Sequence, residues 1–110
     1  MVKGHKIEKK IGIEQFMDII HDYREEQITL TSHALFRLAE KQRKVFKDLV
    51  IKDYLLAKNP VFVGIQNNQL YAVFYDYSKN EALKLILDVQ PNLIEIVTFY
   101  IINKEQIPRL

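Results

Sequence analysis

Hydrophobic positions recur at helical spacing in the first half of the chain and at strand spacing in the second. From Ile13 to Glu26 the apolar residues Phe16, Met17, Ile19, Ile20 and Tyr23 follow a helical period, which predicts a helix with one face turned inward. Gln27–Leu30 reads as a short extended link. A second helix starts at Thr31 or Ser32, either of which can cap its first N–H groups, and carries Leu35, Leu38 and Ala39 as its apolar stripe. After a break around Gln42–Lys44, a third helix is expected over about Phe46–Lys58, with Phe46, Val50, Tyr54 and Ala57 in line. Asn59-Pro60 stops it, because the residue before proline is pushed out of the α region. Beyond Pro60 the chain turns rich in β-branched and aromatic residues, and four strands are predicted: Val61–Ile65, Leu70–Tyr77, Ala82–Val89 and Leu93–Ile102. The links between them are too short for a crossover helix, so consecutive strands should be antiparallel neighbours. The expected architecture is α+β: two to three N-terminal helices packed on a four-stranded antiparallel meander. Helices cover one sheet face, and the other is left partly open or for a partner.

Composition narrows this picture. One hundred and ten residues, 48% of them hydrophobic, suit a single domain with one core. The opening twelve residues, basic and without helical period, read as a mobile arm, leaving residues 13–110 as the domain. With no cysteine, disulfides, thiolate metal sites and a cysteine nucleophile are excluded. His5, His21 and His33 are widely spaced and form no HxxxH or HExxH pair, so no metal is expected. No apolar run reaches the roughly 18 to 20 residues that span a bilayer, and no secretory signal stands at the N-terminus. A cytoplasmic protein without membrane attachment is the expectation. Its oligomeric state is not written in the sequence. Glycine-rich phosphate loops, a GxSxG elbow and a Walker pattern are absent, which argues against nucleotide-driven and α/β-hydrolase chemistry.

The net charge of +2 hides an asymmetry. Residues 1–60 hold twelve Lys and Arg against nine Asp and Glu, whereas residues 61–110 hold four against five. Much of the excess lies in Arg37, Lys41, Arg43, Lys44 and Lys47, opposed only by Glu40. Such a cluster is either a solvated helix face or a phosphate-binding patch. Within it, His33 and Arg37 stand one helical turn apart and share a face. A histidine can accept a proton near neutral pH, and an arginine grips a phosphate with two N–H groups. Together they form a minimal kit for attack of a ribose 2′-hydroxyl on the neighbouring phosphate.

A second constellation lies on the last strand. Thr98 and Tyr100 are two apart and emerge on one sheet face, with Val97, Phe99 and Ile101 on the other. Tyr71, Tyr75 and Tyr77 alternate on the second strand and could form a stacking platform, or simply core and rim. Asp76, Asp88 and Glu95 are the carboxylates within predicted strands, and His21 receives no role.

The order "ITLTSHALFRLAEKQ", a helix ending in "AKNP", and strands closing on "IEIVTFYI" resembles a family of small proteins with an "lT.HA..R" helix, an Asn-Pro helix end and a final strand reading "iiTvy". That family is grouped with RelE/ParE-like and BrnT-like toxins, within a wider set of barnase-like and colicin-type endoribonucleases. The resemblance covers about residues 28–102. It implies helices packed on an antiparallel sheet, RNA cleavage without metal or cofactor, and neutralisation by a small antitoxin protein. By position it implies His33, Arg37, Thr98 and Tyr100 as the catalytic set, with Lys41, Arg43, Lys44 and Lys47 holding flanking phosphates. This chain departs from the pattern with Lys41-Gln42-Arg43-Lys44 where the family has Arg-Gly-Ile, with a less polar second strand, and with the added N-terminal helix. A non-catalytic binding module and a ParE-like inhibitor that binds its target without cutting remain open as alternatives.

Overall fold

The computed structural model describes residues 6–37 and 48–108. In chain order these form β1 (Ile7–Ile11), α1 (Ile13–His21), a 3₁₀ turn (Glu25–Gln27), β2 (Ile28–Leu30), α2 (Ser32–Arg37), α3 (Asp48–Ala57), β3 (Phe62–Gln66), β4 (Tyr71–Asp76), β5 (Glu81–Gln90), β6 (Leu93–Asn103) and a second 3₁₀ turn (Lys104–Gln106). The class is α+β. No helix among the described residues is long and apolar enough to cross a membrane.

The sheet is not a four-stranded meander. It has six strands in the order β1-β3-β4-β5-β6-β2, and it is mixed, because β2 runs parallel to β6. The four expected strands form its centre in sequence order and pair antiparallel. The outer two come from segments expected to be a mobile arm and a short extended link. Ile7–Ile11, placed by its charge in a mobile arm, pairs antiparallel with β3, and Ile28–Leu30 is a strand rather than a link. The first of these fits closely. A Cβ on Gly64 would come within 2.6 Å of the Ile7 side chain and 3.2 Å of the Lys9 carbonyl, so only glycine lets β1 approach here.

The helices cover one face of this sheet. Phe16 and Ile20 of α1 and Ile51 and Leu55 of α3 are buried pairs at i,i+4 that meet Val63, Val73, Leu83, Leu85, Leu87 and Phe99. The stripe expected on the third helix is therefore rotated: Val50 and Ala57 are exposed, while Ile51 and Leu55 carry the contact. Helix α1 also ends at His21 rather than Glu26. The Asp22 and Tyr23 N–H groups close on the Ile19 and Ile20 carbonyls, and the Tyr23 hydroxyl donates to the Gln90 carbonyl at 2.6 Å.

Tyr71, Tyr75 and Tyr77 belong to this helix-covered core. They do share a face, but burial removes Tyr75 from any stacking platform: it is 1% exposed and packs edge-on against Tyr54 with ring centroids 5.6 Å apart. Its hydroxyl has no hydrogen-bond partner among the described residues. Burial pushes the Tyr75 phenol above the ordinary tyrosine value of 10.0. The folded protein therefore keeps it protonated where an unfolded chain ionises, so its contribution to stability is intact below pH 10.0 and is lost as pH rises above it. Tyr75→Phe is expected to raise stability at pH 7 by about 1 kcal/mol, because an unpaired buried hydroxyl is removed, and to reduce the loss of stability above pH 10.0. Urea denaturation at neutral and alkaline pH measures both. A loss of more than about 1 kcal/mol at pH 7 would mean that the hydroxyl is hydrogen-bonded after all.

Candidate functional site

The opposite face carries the candidate site, and a bulge in β6 decides which residues reach it. Ile94 and Ile96 point into the helix-covered core, as do Phe99 and Ile101. Strict alternation cannot satisfy both pairs. The register resolves the conflict by shifting once: Leu87 pairs with Ile96, Ile86 with Thr98, and Val97 is the extra residue between them. Thr98 and Tyr100 thereby emerge together on the face opposite α1 and α3, sharing one face as the sequence implied. Val97 does not oppose them. It packs on the same face against Phe62, Ala72, Phe74 and Ile86.

Thr31 ties α2 to that bulge. Its hydroxyl donates to the Val97 carbonyl at 2.7 Å and accepts the Ala34 N–H at 3.2 Å, so one side chain caps the helix and anchors it to the sheet. Its own N–H continues the parallel ladder to the Ile96 carbonyl at 3.1 Å. With the helix start fixed, Ala34 is buried in the core and the exposed His33 faces the other side, beside Thr98 and Tyr100. Arg37 closes α2, and its side chain lies outside the described part of the structure, as do Lys41, Arg43, Lys44 and Lys47.

Three of the sequence-derived residues, His33, Thr98 and Tyr100, line one groove of about 270 Å³. Ile86, Val97 and Leu70 form its apolar part, and Lys84, Gln66 and Asn68 complete it. Two rows of register partners run across this face: Phe62, Phe74, Lys84 and Tyr100 on the four central strands, and Gly64, Ala72, Ile86 and Thr98 in the next row. The β5 and β6 members of both rows line the groove. Lys84 lays its stem on this surface with its ammonium 5.5 Å from the Phe74 ring centre. Partial burial lowers its pKa from the ordinary lysine value. Among the described residues no carboxylate approaches it within 4 Å. Thr98 is 6% exposed, and its hydroxyl has no hydrogen-bond partner among the described residues. At the far rim the β3–β4 hairpin is held by a positive φ of 74° at Gln69 and by the Asn68 Oδ1, which accepts both the Leu70 N–H and the Gln66 Nε2, each at 3.1 Å.

Sequence reasoning missed Lys84, Gln66 and Asn68. The signal for Lys84 was a lone cation inside the apolar run Ala82–Val89; the other two read as turn residues. Of the strand carboxylates, Asp88 and Glu95 are direct cross-strand partners, and the Gln90 amide bridges them at 3.0 and 3.4 Å. Asp76 instead pairs with Lys104 at 3.4 Å. Two other depressions, of about 350 Å³ around Lys79 and Lys104 and about 600 Å³ around Ile13 and Pro60, contain neither a histidine nor an unpartnered buried hydroxyl.

Among known proteins, residues 14–87 match the model of the MJ0788 family. No curated protein matches the chain, and no solved structure does.

Because Thr31 serves as cap and anchor at once, Thr31→Val is expected to cost about 1 to 2 kcal/mol in urea denaturation. It should also speed amide exchange in α2 and shift the resonances of His33 and Thr98. A cost below about 0.5 kcal/mol, the range of an ordinary surface change, would show that the anchor does not hold the helix.

Proposed function

The chain belongs to the MJ0788 family, and we propose that it is a toxin-like endoribonuclease of the RelE and barnase kind, which cleaves RNA in the groove on the sheet face opposite α1 and α3. One observation carries the reading: an exposed histidine, a lysine and a buried threonine hydroxyl line the same groove, the lysine with no carboxylate within 4 Å and the hydroxyl with no partner among the described residues. Those are the groups that metal-independent transesterification of RNA requires. His33 takes the proton of the ribose 2′-hydroxyl as its oxygen attacks the adjacent phosphorus. Negative charge builds on the phosphoryl oxygens, where the Lys84 ammonium and the Thr98 and Tyr100 hydroxyls oppose it. The P–O5′ bond breaks, leaving a 2′,3′-cyclic phosphate, and the departing 5′ oxygen takes its proton from the Lys84 ammonium. Solvent returns that proton to Lys84, and the imidazolium releases its own.

Arg37, one turn after His33 on α2, adds a guanidinium clamp to the Lys84 ammonium in this reading, and Lys41, Arg43, Lys44 and Lys47 hold flanking phosphates. No cofactor enters the mechanism. The enzyme acts on cytoplasmic RNA and is held inactive by a small antitoxin protein. The resemblance of residues 28–102 to a family of small proteins grouped with such toxins motivates the same reading. A non-catalytic RNA- or protein-binding module is the rival.

Purified protein incubated with total RNA in EDTA, with and without ribosomes, separates the two. His33→Ala should lower the cleavage rate by ~10² to 10⁴, with stability changed by no more than roughly 0.5 kcal/mol, because the side chain is exposed. RNA left intact under both conditions, or cut equally well by His33→Ala, refutes the assignment. Neutralising two of Lys41, Arg43, Lys44 and Lys47 should weaken RNA binding and flatten its salt dependence by up to about two units of slope. An unchanged slope removes that segment from the binding surface.

A further inference from the structure

We infer that the groove seats a single nucleotide unit of RNA, its phosphate on Lys84 and Thr98 and the edge of its base on the Gln66–Asn68 hairpin, so that cleavage is selective for the base. The inference rests on reading the groove as an RNA site and adds to it a ligand orientation and a specificity determinant.

The anion end follows from two groups that want the same partner. Lys84 is directly opposite Tyr100, so it is a diagonal neighbour of Thr98, within reach of a long side chain. The Thr98 hydroxyl is buried and lacks a partner among the described residues, and the ammonium has no carboxylate within 4 Å there. An oxyanion accepting from both satisfies a buried donor and a partly desolvated charge together. Polarity along the groove fixes the direction. Asp88 and Glu95, one row further toward the β5–β6 turn, are occupied with the Gln90 amide and repel a phosphate from their end.

The base end is an amide pair already held in place. Gln66 is 3% exposed and donates to Asn68, whose Oδ1 also accepts the Leu70 N–H. Clamped through its oxygen, Asn68 keeps its amino donors uncommitted among the described residues, beside the acceptor Oε1 of Gln66. A fixed donor next to an acceptor complements the polar edge of a nucleobase, and it is ordered before the ligand arrives. Gln66 and Thr98 lie on strands three spacings apart, about 14 Å, the scale of a nucleotide from phosphate to base edge. Between them Leu70 and Ile86 form the apolar floor. The groove's 270 Å³ suits one small ligand.

The test titrates the four ribonucleoside 3′-monophosphates and inorganic phosphate into the full chain, by calorimetry and by amide chemical shifts. At least one base should bind about tenfold more tightly than the weakest. Asn68→Ala should level the four while leaving inorganic phosphate binding unchanged. Thr98→Val and Lys84→Met should each weaken phosphate and all four nucleotides by about tenfold. Thr98→Val should also melt no lower than the parent, since it removes an unpaired hydroxyl, and Lys84→Met keeps the stem on Phe74, so two folded variants address the anion end. Equal affinities for the four bases, or phosphate binding untouched by both anion-end variants, overturn the inference. Base-selective binding without RNA cleavage would refute the nuclease and keep the nucleotide seat; cleavage without selectivity would do the reverse.

Discussion

One hydrogen bond and the bulge beneath it organise this molecule. The Thr31 hydroxyl reaches the Val97 carbonyl at the single extra residue of β6. Removing that extra residue from the strand reverses every side chain that follows. Phe99 and Ile101 would turn out of the helix-covered core, and Thr98 and Tyr100 would turn into it. Two large apolar side chains would lose their burial, while two hydroxyls would enter an apolar layer without partners. Both changes are unfavourable, so the hydrophobic core itself selects the bulge. The Val97 carbonyl at the bulge then accepts from the Thr31 hydroxyl and fixes a helix start, and α2 inherits its position from it.

That arrangement places polar groups on a face with its own apolar foundation. Phe62 and Phe74 pack edge-on at 5.7 Å, and the Lys10 and Lys84 ammoniums lie over their rings at 5.8 and 5.5 Å. The aromatic row is nearly buried without a helix, because Ile7, Ile102, Ile107 and the lysine stems cover it. A sheet stabilised from both sides is stiff in its middle, and a stiff platform is what a few convergent polar groups need to hold their geometry. The groove opens beyond this covering, where Lys84, Ile86, Thr98 and Tyr100 on β5 and β6 line it.

Much of the fold was legible in the sequence, and the failures have physical causes. Strands β3 to β6 lie within a residue or two of their expected bounds because their alternation is strong and Pro60, Asn67-Asn68 and Pro91-Asn92 punctuate them. Strand β1 was hidden because only Ile7 and Ile11 of its five residues are apolar, and a register shift between Ile7 and Lys9 breaks their period of two. Strand β2 is three residues long, and its partner lies more than sixty residues away, so no local pattern announces it. On the third helix Val50 and Tyr54 share a helical spacing just as Ile51 and Leu55 do; packing buries the second pair, keeps Tyr54 at the core's edge and leaves Val50 exposed.

The site was half legible for the same reason. Histidine, threonine and tyrosine are conspicuous when they interrupt an apolar pattern, and His33, Thr98 and Tyr100 do meet. Lys84, Gln66 and Asn68 are ordinary residues in their local segments, and only the cross-strand register gives them significance. Yet the bulge itself left a trace. Ile94 and Ile96 set one parity, and Phe99 and Ile101 set the other, with a β-branched Val97 at the change. A switch of hydrophobic parity inside one uninterrupted strand has few explanations other than an inserted residue. Taken seriously, that switch moves Val97 to the face of Thr98, and it marks where the strand offers a spare carbonyl. The feature that uses this acceptor is a helix-capping hydroxyl followed two residues later by a histidine, Thr31 and His33. The hydrophobic pattern of one strand thus contains the reason why a histidine more than sixty residues earlier stands beside it.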